Sequence, residues 1–92
     1  MIELEGKIQN RAVSILDDPR ACLSYIHPRV VESGKLQDEK FKNPWLVQLA
    51  TGTRRRVHTK VPICELSIGN QQITMELNVL PLGSYDILLG MD

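Results

Sequence analysis

The sequence predicts an all-β domain, a closed barrel or sandwich with one short helix. Apolar and polar residues alternate in several short segments, and turn-forming residues separate these segments at intervals of about 8–12 residues. The clearest alternation is in ITMELNV, residues 73–79. A length of 92 residues allows one domain, which we assign to residues 1–92.

Five other segments share the pattern of short, partly buried strands: residues 2–7, 12–16, 45–50, 61–68 and 85–90. A turn at residues 9–10 predicts that the first two form a hairpin, and a turn at residues 69–70 predicts a second hairpin ahead of residues 73–79. Residues 54–59 are predicted to be a polar extended segment, whereas the charged residues 35–43 are predicted to be a surface loop.

One short helix is predicted directly after the apolar residues 23–26. Pro28 suits the first position of a helix because it has no N–H to leave unbonded, and Gly34 suits the stop. The expected helix therefore covers one or two turns. We expect the aromatic side chains of Trp45 and Tyr85 to lie in the core.

The charge balance argues against a dedicated nucleic-acid surface. Eleven basic and eleven acidic residues cancel, and the four aromatic residues do not cluster, so Arg54-Arg55-Arg56 are interpreted as a solvated strand. No apolar run approaches the length of a membrane span, and the charged N-terminus does not resemble a signal peptide. We therefore expect an intracellular, cytoplasmic protein that binds neither membrane nor nucleic acid.

The cysteine and histidine residues do not predict a metal site. The spacings within Cys22–His27 and His58–Cys64 fit no tight zinc-binding arrangement, so we expect no metal and no other cofactor. Both cysteines are expected to be reduced, small and buried.

An unusual turn follows the second predicted strand. The strand ends in Asp17-Asp18, and Pro19-Arg20 come next. An aspartate at the end of an apolar strand is often presented for chemistry, but a turn aspartate that accepts backbone N–H bonds is the simpler alternative. From the residues alone, Asp17 and Asp18 are equal candidates.

Four segments together resemble the retropepsin-like aspartic proteases, in particular those in the polyproteins of gypsy-type LTR retrotransposons. They are DPRA at 18–21, YI at 25–26, LATG at 49–52 and LPLGSYDILLGMD at 80–92. The resemblance implies a retropepsin-like fold with a flap hairpin. It also implies an aspartic endopeptidase that acts on a peptide or polyprotein substrate, within a cytoplasmic retroelement particle.

The same resemblance places Asp18 at the catalytic position of the family motif, which reads Asp-Ser/Thr-Gly. Pro19 stands where the family has the hydroxyl that reaches across to the other subunit, and Arg20 stands where it has glycine. The substrate-binding residues implied by the resemblance are Ala21, Thr51, Gly52 and Thr53.

These departures predict a weakened active site. Retropepsin-like subunits pair as homodimers so that two aspartates share one proton, and a cation from Arg20 near Asp18 would favour the ionised carboxylate instead. Pro19 removes the hydroxyl contact, and the sequence ends at Asp92, ahead of the family's C-terminal helix and dimer strand. We expect weak or no proteolysis and a monomer or weak dimer. The alternative function is a catalytically inactive or domesticated copy that serves as a protein-interaction module.

Overall fold

Seven β-strands and one short helix form the chain in a computed structural model, which describes residues 2–48, 52 and 54–90. The elements in chain order are β1 (Ile2–Ile8), β2 (Arg11–Asp17), β3 (Tyr25–Ile26), α1 (Pro28–Gly34), β4 (Glu39–Gln48), β5 (Arg54–Ile68), β6 (Gln71–Val79) and β7 (Ile87–Leu89). The prediction of an all-β domain with one short helix is confirmed. No helix among the described residues is long and apolar enough to cross a membrane.

The strands form one sheet that curls back on itself. Their order is β1-β2-β7-β3-β6-β5-β4, and β1 also pairs with β5 where Lys7 lies opposite Ser67. Gly6 permits this second contact, because a Cβ atom there would lie 2.6 Å from Ile15 Cδ1 and 2.7 Å from the Ser67 carbonyl oxygen. The result is a ring of strands.

Two local hairpins match the sequence prediction. β1 and β2 pair from Ile2 opposite Asp17 to Ile8 opposite Arg11, and the turn between them has left-handed φ angles of 52° and 64° at residues 9 and 10. Two consecutive positive φ angles are typical of the tight turn that matches the twist of paired strands. β5 and β6 form the second hairpin, around the turn at residues 69–70.

The prediction of a loop over residues 35–43 is wrong from residue 39 onward. β4 begins at Glu39, and its register against β5 shifts between Lys40 and Trp45. Pro44 lies in this shift, as expected of a residue without an N–H to donate. Because β4 is the last strand of the sheet order, its charged side chains can point into solvent, which hides the strand from a search for apolar alternation.

The predicted helix is confirmed, with its end displaced by one residue. His27 is the N-cap, and its Nδ1 accepts a hydrogen bond from the Arg29 backbone N–H at 3.1 Å. Gly34 is still helical, and Lys35 takes the left-handed conformation that follows, with φ 49°. The helix buries Val30 and Val31 against the sheet.

The buried side chains form two clusters. The larger cluster fills the ring and contains Ile8, Val13, Ile15, Ile26, Val30, Val31, Val61, Cys64, Leu66, Leu77 and Ile87. The smaller one, here called the hairpin-base cluster, contains buried Tyr25, Val57 and Leu80 with partly buried Leu23, Phe41, Trp45, Val47, Leu82 and Leu88. It links the β4–β5 hairpin to the strands β3 and β7.

Three predictions about single side chains need correction. Cys64 is buried as expected, but Cys22 is exposed because it lies in an irregular loop. Trp45 and Tyr85 are only partly buried, and the Tyr85 hydroxyl donates a hydrogen bond to the Glu3 carboxylate, which raises the pKa of Tyr85. The buried aromatic residue is Tyr25.

Candidate active site

The loop of residues 18–24 is built around the end of β7. The chain leaves β2 at Asp17, forms this loop and returns as β3, while β7 lies between the two, parallel to β2 and antiparallel to β3. The Asp18 N–H donates to the Leu89 carbonyl at 2.9 Å, and the Gly90 N–H donates to Ser24 Oγ at 3.0 Å. Both ends of the loop are therefore bonded to the C-terminal end of β7.

Gly90 allows the loop to lie directly on β7. A Cβ atom at this position would overlap the Leu23 carbonyl and would lie 2.8 Å from the Ala21 carbonyl oxygen. These atoms belong to the backbone, so they cannot rotate away as a side chain could. A larger residue at position 90 would push the loop outward.

Asn78 of β6 holds the loop from the other side. Its backbone N–H donates to the Ser24 carbonyl at 3.0 Å, and its side-chain amide donates to the same oxygen at 3.3 Å. Ser24 and Asn78 are both buried, where an unbonded polar group would be costly. Asn78 is one of the polar residues in the alternation along β6, but β3 pairs with β6 at this position, and the Ser24 carbonyl just before β3 accepts the Asn78 amide.

Asp18 is a buried carboxylate, with 6% of the residue exposed. Its Oδ1 accepts the Arg20 backbone N–H at 3.0 Å, and its carbonyl oxygen accepts the Ala21 N–H at 3.1 Å. The Arg20 Nε lies 3.5 Å from the same Oδ1, although the arginine side chain is 70% exposed. The Arg20 guanidinium therefore lies beside the Asp18 carboxylate.

The structure separates the two adjacent aspartates. Asp17 is the last residue of β2, paired with Ile2 and Leu89, and it is only partly buried. Asp18 begins the loop, and one of its carboxylate oxygens has a backbone N–H donor. Of the two, Asp18 is the more buried, and its side-chain contact is also the one expected of a turn aspartate that accepts a backbone N–H bond.

The β4–β5 hairpin rises beside this loop. Its upper part pairs from Trp45 opposite Val57 to Gln48 opposite Arg54, and Val57 is in the hairpin-base cluster with Leu23 of the loop. Of the predicted flap residues, Gly52 has a φ of 87° that suits glycine, and it is exposed. Thr51 and Thr53 lie outside the described residues, as do residues 49–50 and 91–92.

A second polar network ties α1 to β2 and β7. The Asp86 carboxylate accepts the Ser14 backbone N–H at 2.8 Å and the Arg29 Nε at 3.1 Å. The network borders a cavity of about 290 Å³ over Ile8 and Val13, and no residue of the loop 18–24 lines this cavity. Sequence reasoning gave no role to Asp86, and only its place before an apolar run marked it.

No side-chain cluster suited to a metal ion occurs in the described ranges, where no three His, Cys, Asp or Glu residues come together. Cys22, His27, His58 and Cys64, whose spacings fit no tight zinc site, form no such group. His27 instead caps α1, and its pKa is lowered by burial and by the Arg29 cation, against an opposing effect of Asp86.

Comparisons with solved structures identify proteins that share this architecture. The structure is similar to the retroviral protease-like domain of Ddi1 from Leishmania major, with a TM-score of 0.65 and 15% identity over 98% of this chain and 67% of that chain. It is also similar to Lpg0085, a protein of unknown function from Legionella pneumophila, with a TM-score of 0.59 and 18% identity over 98% of this chain and 80% of that one. These similarities show a retropepsin-like fold.

The sequence itself gives the family. No curated protein matches it closely enough to count as a relative. Residues 3–92, from β1 through the loop 18–24 to the segment after β7, match the family model described as retroviral aspartyl protease. The chain therefore belongs to the retroviral aspartyl protease family.

Proposed function

We propose that this domain is an aspartic endopeptidase that contributes one half of a two-fold active site, with Asp18 as its catalytic carboxylate. The supporting observation is the placement of Asp18: a buried acid at the end of β2, bonded through its N–H to Leu89 and through its side chain to the Arg20 N–H. Its substrate is a polyprotein, and its context is the cytoplasmic particle of a gypsy-type LTR retrotransposon, as the resemblance implies.

Two copies of the loop 18–24 would supply the chemistry. Two carboxylates held close together cannot both be ionised, so one proton is shared between them. The ionised carboxylate removes a proton from a water molecule, which attacks the peptide carbonyl, while the protonated carboxylate donates a hydrogen bond to the carbonyl oxygen. A proton then passes to the leaving amine, and the peptide bond breaks.

Substrate contacts are proposed at Ala21 and at the hairpin tip. Ala21 lies three residues after Asp18 in the loop. Its N–H donates to the backbone carbonyl oxygen of Asp18 at 3.1 Å, which keeps Ala21 close to Asp18. Thr51, Gly52 and Thr53 would cover the substrate as a flap, because the β4–β5 hairpin rises beside the loop.

Arg20 and Pro19 lower the activity of this site in different ways. The Arg20 backbone N–H still donates to Asp18 at 3.0 Å, so the bond that a glycine N–H would make is retained. Its side chain, however, places a guanidinium group 3.5 Å from the Asp18 carboxylate oxygen, where a glycine would have no side chain. Pro19 offers no hydroxyl to a second subunit.

The same ion pair supports a second candidate function. If Arg20 stays paired with Asp18 in both copies, the domain holds a peptide in its cleft without cutting it. It would then be a domesticated module for protein interaction that retains the protease fold.

A peptide-cleavage assay between about pH 4 and pH 7, with and without pepstatin, tests the proposal. We expect weak, pepstatin-sensitive cleavage that Asp18→Asn reduces about 100-fold or more, and that the double variant Pro19→Ser/Arg20→Gly increases. Asp17→Asn is the matched control and should leave cleavage in place. Cleavage that survives Asp18→Asn would overturn the assignment of Asp18. No cleavage even by the double variant, together with retained peptide binding, would favour the interaction module.

A further inference from the structure

Positive charge is concentrated in the β4–β5 hairpin, although the whole chain is neutral. Residues 39–60 contain six of the eleven basic residues and one of the eleven acidic residues. The remaining five basic residues share the rest of the chain with ten acidic residues. The basic residues of the hairpin are Lys40, Lys42, Arg54, Arg55, Arg56 and Lys60.

Three of these cations stand together and have no acidic partner within the described part of the chain. Arg54, Arg55 and Arg56 are exposed at the start of β5, opposite residues 46–48 of β4. The ion pairs among all the described residues are Arg20–Asp18, Arg29–Asp86 and Lys60–Glu76, and none of them includes residues 54–56. We call residues 54–56 the arginine segment.

The arginine segment lies near the loop that carries Asp18. Val57, the next residue, is fully buried in the hairpin-base cluster with Leu23 of that loop and Leu88 of β7. Successive side chains of a strand point to opposite faces, so Arg55 shares the face of Val57 and of its neighbour Val47, whereas Arg54 and Arg56 point to the other face. The backbone of Arg55 lies about 7 Å from that of Val57, a distance that an arginine side chain can span toward a ligand over the loop.

We propose that the arginine segment selects acidic peptides, so that glutamate or aspartate near the bound segment of a substrate strengthens its binding. This inference rests on the proposed function in one respect, namely that the hairpin covers a peptide. Guanidinium groups bind carboxylates through paired hydrogen bonds, and unpaired surface cations attract anions over about the Debye length. The net negative charge of the remaining chain excludes acidic peptides from other surfaces and directs them to the hairpin.

Aromatic packing favours a peptide over a nucleic acid as the partner. Single-stranded nucleic acids bind where free aromatic rings alternate with cations. The aromatic rings of the hairpin, Phe41 and Trp45, instead contact each other edge to face at 5.9 Å, and Lys60 lies 5.6 Å from the Phe41 ring centre. Both rings also belong to the hairpin-base cluster, so they are not available to stack on bases.

Fluorescence anisotropy with two labelled peptides tests the proposal. One peptide carries several glutamates, and the other is identical except that glutamine replaces each glutamate. The protein carries Asp18→Asn in every sample, so that the peptides stay intact and the result does not depend on cleavage. We expect the glutamate peptide to bind more tightly, with a preference that decreases as salt rises from about 50 to about 300 mM.

Two double variants, each with two positive charges removed, test which residues cause the preference for the glutamate peptide. Arg54→Gln/Arg55→Gln, which removes the arginine on the face of Val57, should weaken binding of the glutamate peptide about five-fold or more and leave the glutamine peptide nearly unchanged. Lys7→Gln/Lys35→Gln removes the same charge from exposed positions outside the hairpin and should leave the preference in place. Circular dichroism of both double variants checks that the fold is intact.

Three results would overturn the inference: equal binding of the two peptides, an equal effect of both double variants, or tighter binding of labelled oligouridine than of the glutamate peptide through the same arginines. The last result would assign the segment to RNA. Peptide binding is measured without catalysis. A protein that lacks protease activity in the separate cleavage assay would therefore not produce any of these three results for that reason alone.

Discussion

At the scale of single residues, the sequence supplied a candidate acid but not its surroundings. An aspartate after an apolar strand could be predicted from the order of residues, and the resemblance selected Asp18 over Asp17. Its bond to Leu89 could not be predicted, because it depends on β7 lying beside β2. The bond from the Arg20 N–H is local to the turn and is the contact expected of a turn aspartate. The roles of Asn78 and Gly90 remained hidden for the same reason, since both residues act on a loop far from them in sequence.

The two cysteines should differ in reactivity. Cys22 is exposed, whereas Cys64 is 1% exposed and its pKa is raised by burial and by the neighbouring Glu65 carboxylate. Because the thiolate is the reactive form, we expect one thiol to react quickly with a colorimetric disulfide reagent at neutral pH and the other to react only after unfolding. Cys22→Ser should remove the fast reaction, and two equally fast thiols would contradict the burial of Cys64.

At the scale of elements, periodic patterns predicted the hairpins and the helix well and predicted charged or irregular elements badly. β1, β2 and α1 carry local signals, namely alternation, a tight turn and a proline at the start. β4 was partly missed, because a solvated edge strand can be built from charged residues. β6 was located correctly. Ile73 is 37% exposed, however, so the alternation predicted where the strand lies but not that all of its apolar side chains are buried.

The cap of α1 should make stability depend on pH. The His27 Nδ1 can accept the Arg29 N–H only while the imidazole is neutral, and the pKa of His27 is lowered in the folded protein by burial. The unfolded chain therefore binds a proton more readily. This contribution is complete above about pH 6.5, the usual histidine value, and it is lost progressively as the pH falls below that value.

Urea unfolding at a series of pH values measures this effect. We expect the free energy of unfolding to decrease from neutral pH toward pH 5, and His27→Asn to flatten this decrease because asparagine caps a helix without titrating in this range. His58→Asn is the control, since His58 is exposed outside α1. An unchanged pH dependence in His27→Asn would exclude the cap as its source.

The contact between the loop 18–24 and β7 should be sensitive to one methyl group. Gly90→Ala places a Cβ atom against the backbone carbonyls of Ala21 and Leu23, so we expect it to destabilise the fold by about 2 kcal/mol or more. Gly34→Ala, at the end of α1, meets no atom closer than 3.4 Å and should be nearly neutral. Thermal unfolding compares the two, and equal melting temperatures would contradict the close approach.

At the scale of the whole molecule, the assembly state is the main prediction. Catalysis in this family needs two subunits, so that two loops face each other across a two-fold axis. Pro19 provides no hydroxyl to the opposite loop, and the Arg20 side chain, 70% exposed, would approach its own copy with the same charge. We expect a monomer or a weak dimer at low micromolar concentration.

Sedimentation equilibrium measures this directly. Pro19→Thr/Arg20→Gly should strengthen the dimer, whereas Lys35→Gln, outside the loop, should not change it. A dimer mass that is independent of concentration in the unmodified chain would refute the prediction and would favour an active enzyme.

The position of β7 has a consequence for the time at which the fold can form. β7 lies inside the sheet between β2 and β3, and the contact between Ser14 and Asp86 spans 72 positions of sequence. While the chain is still on a ribosome, the edges of β2 and β3 that pair with β7 have no partner until residues 87–89 leave the exit tunnel. The bonds of Asp18 to Leu89 and of Ser24 to Gly90 can form only then. A nascent polypeptide therefore cannot assemble the loop 18–24 until β7 has been made, so the order of translation sets the time at which this loop forms.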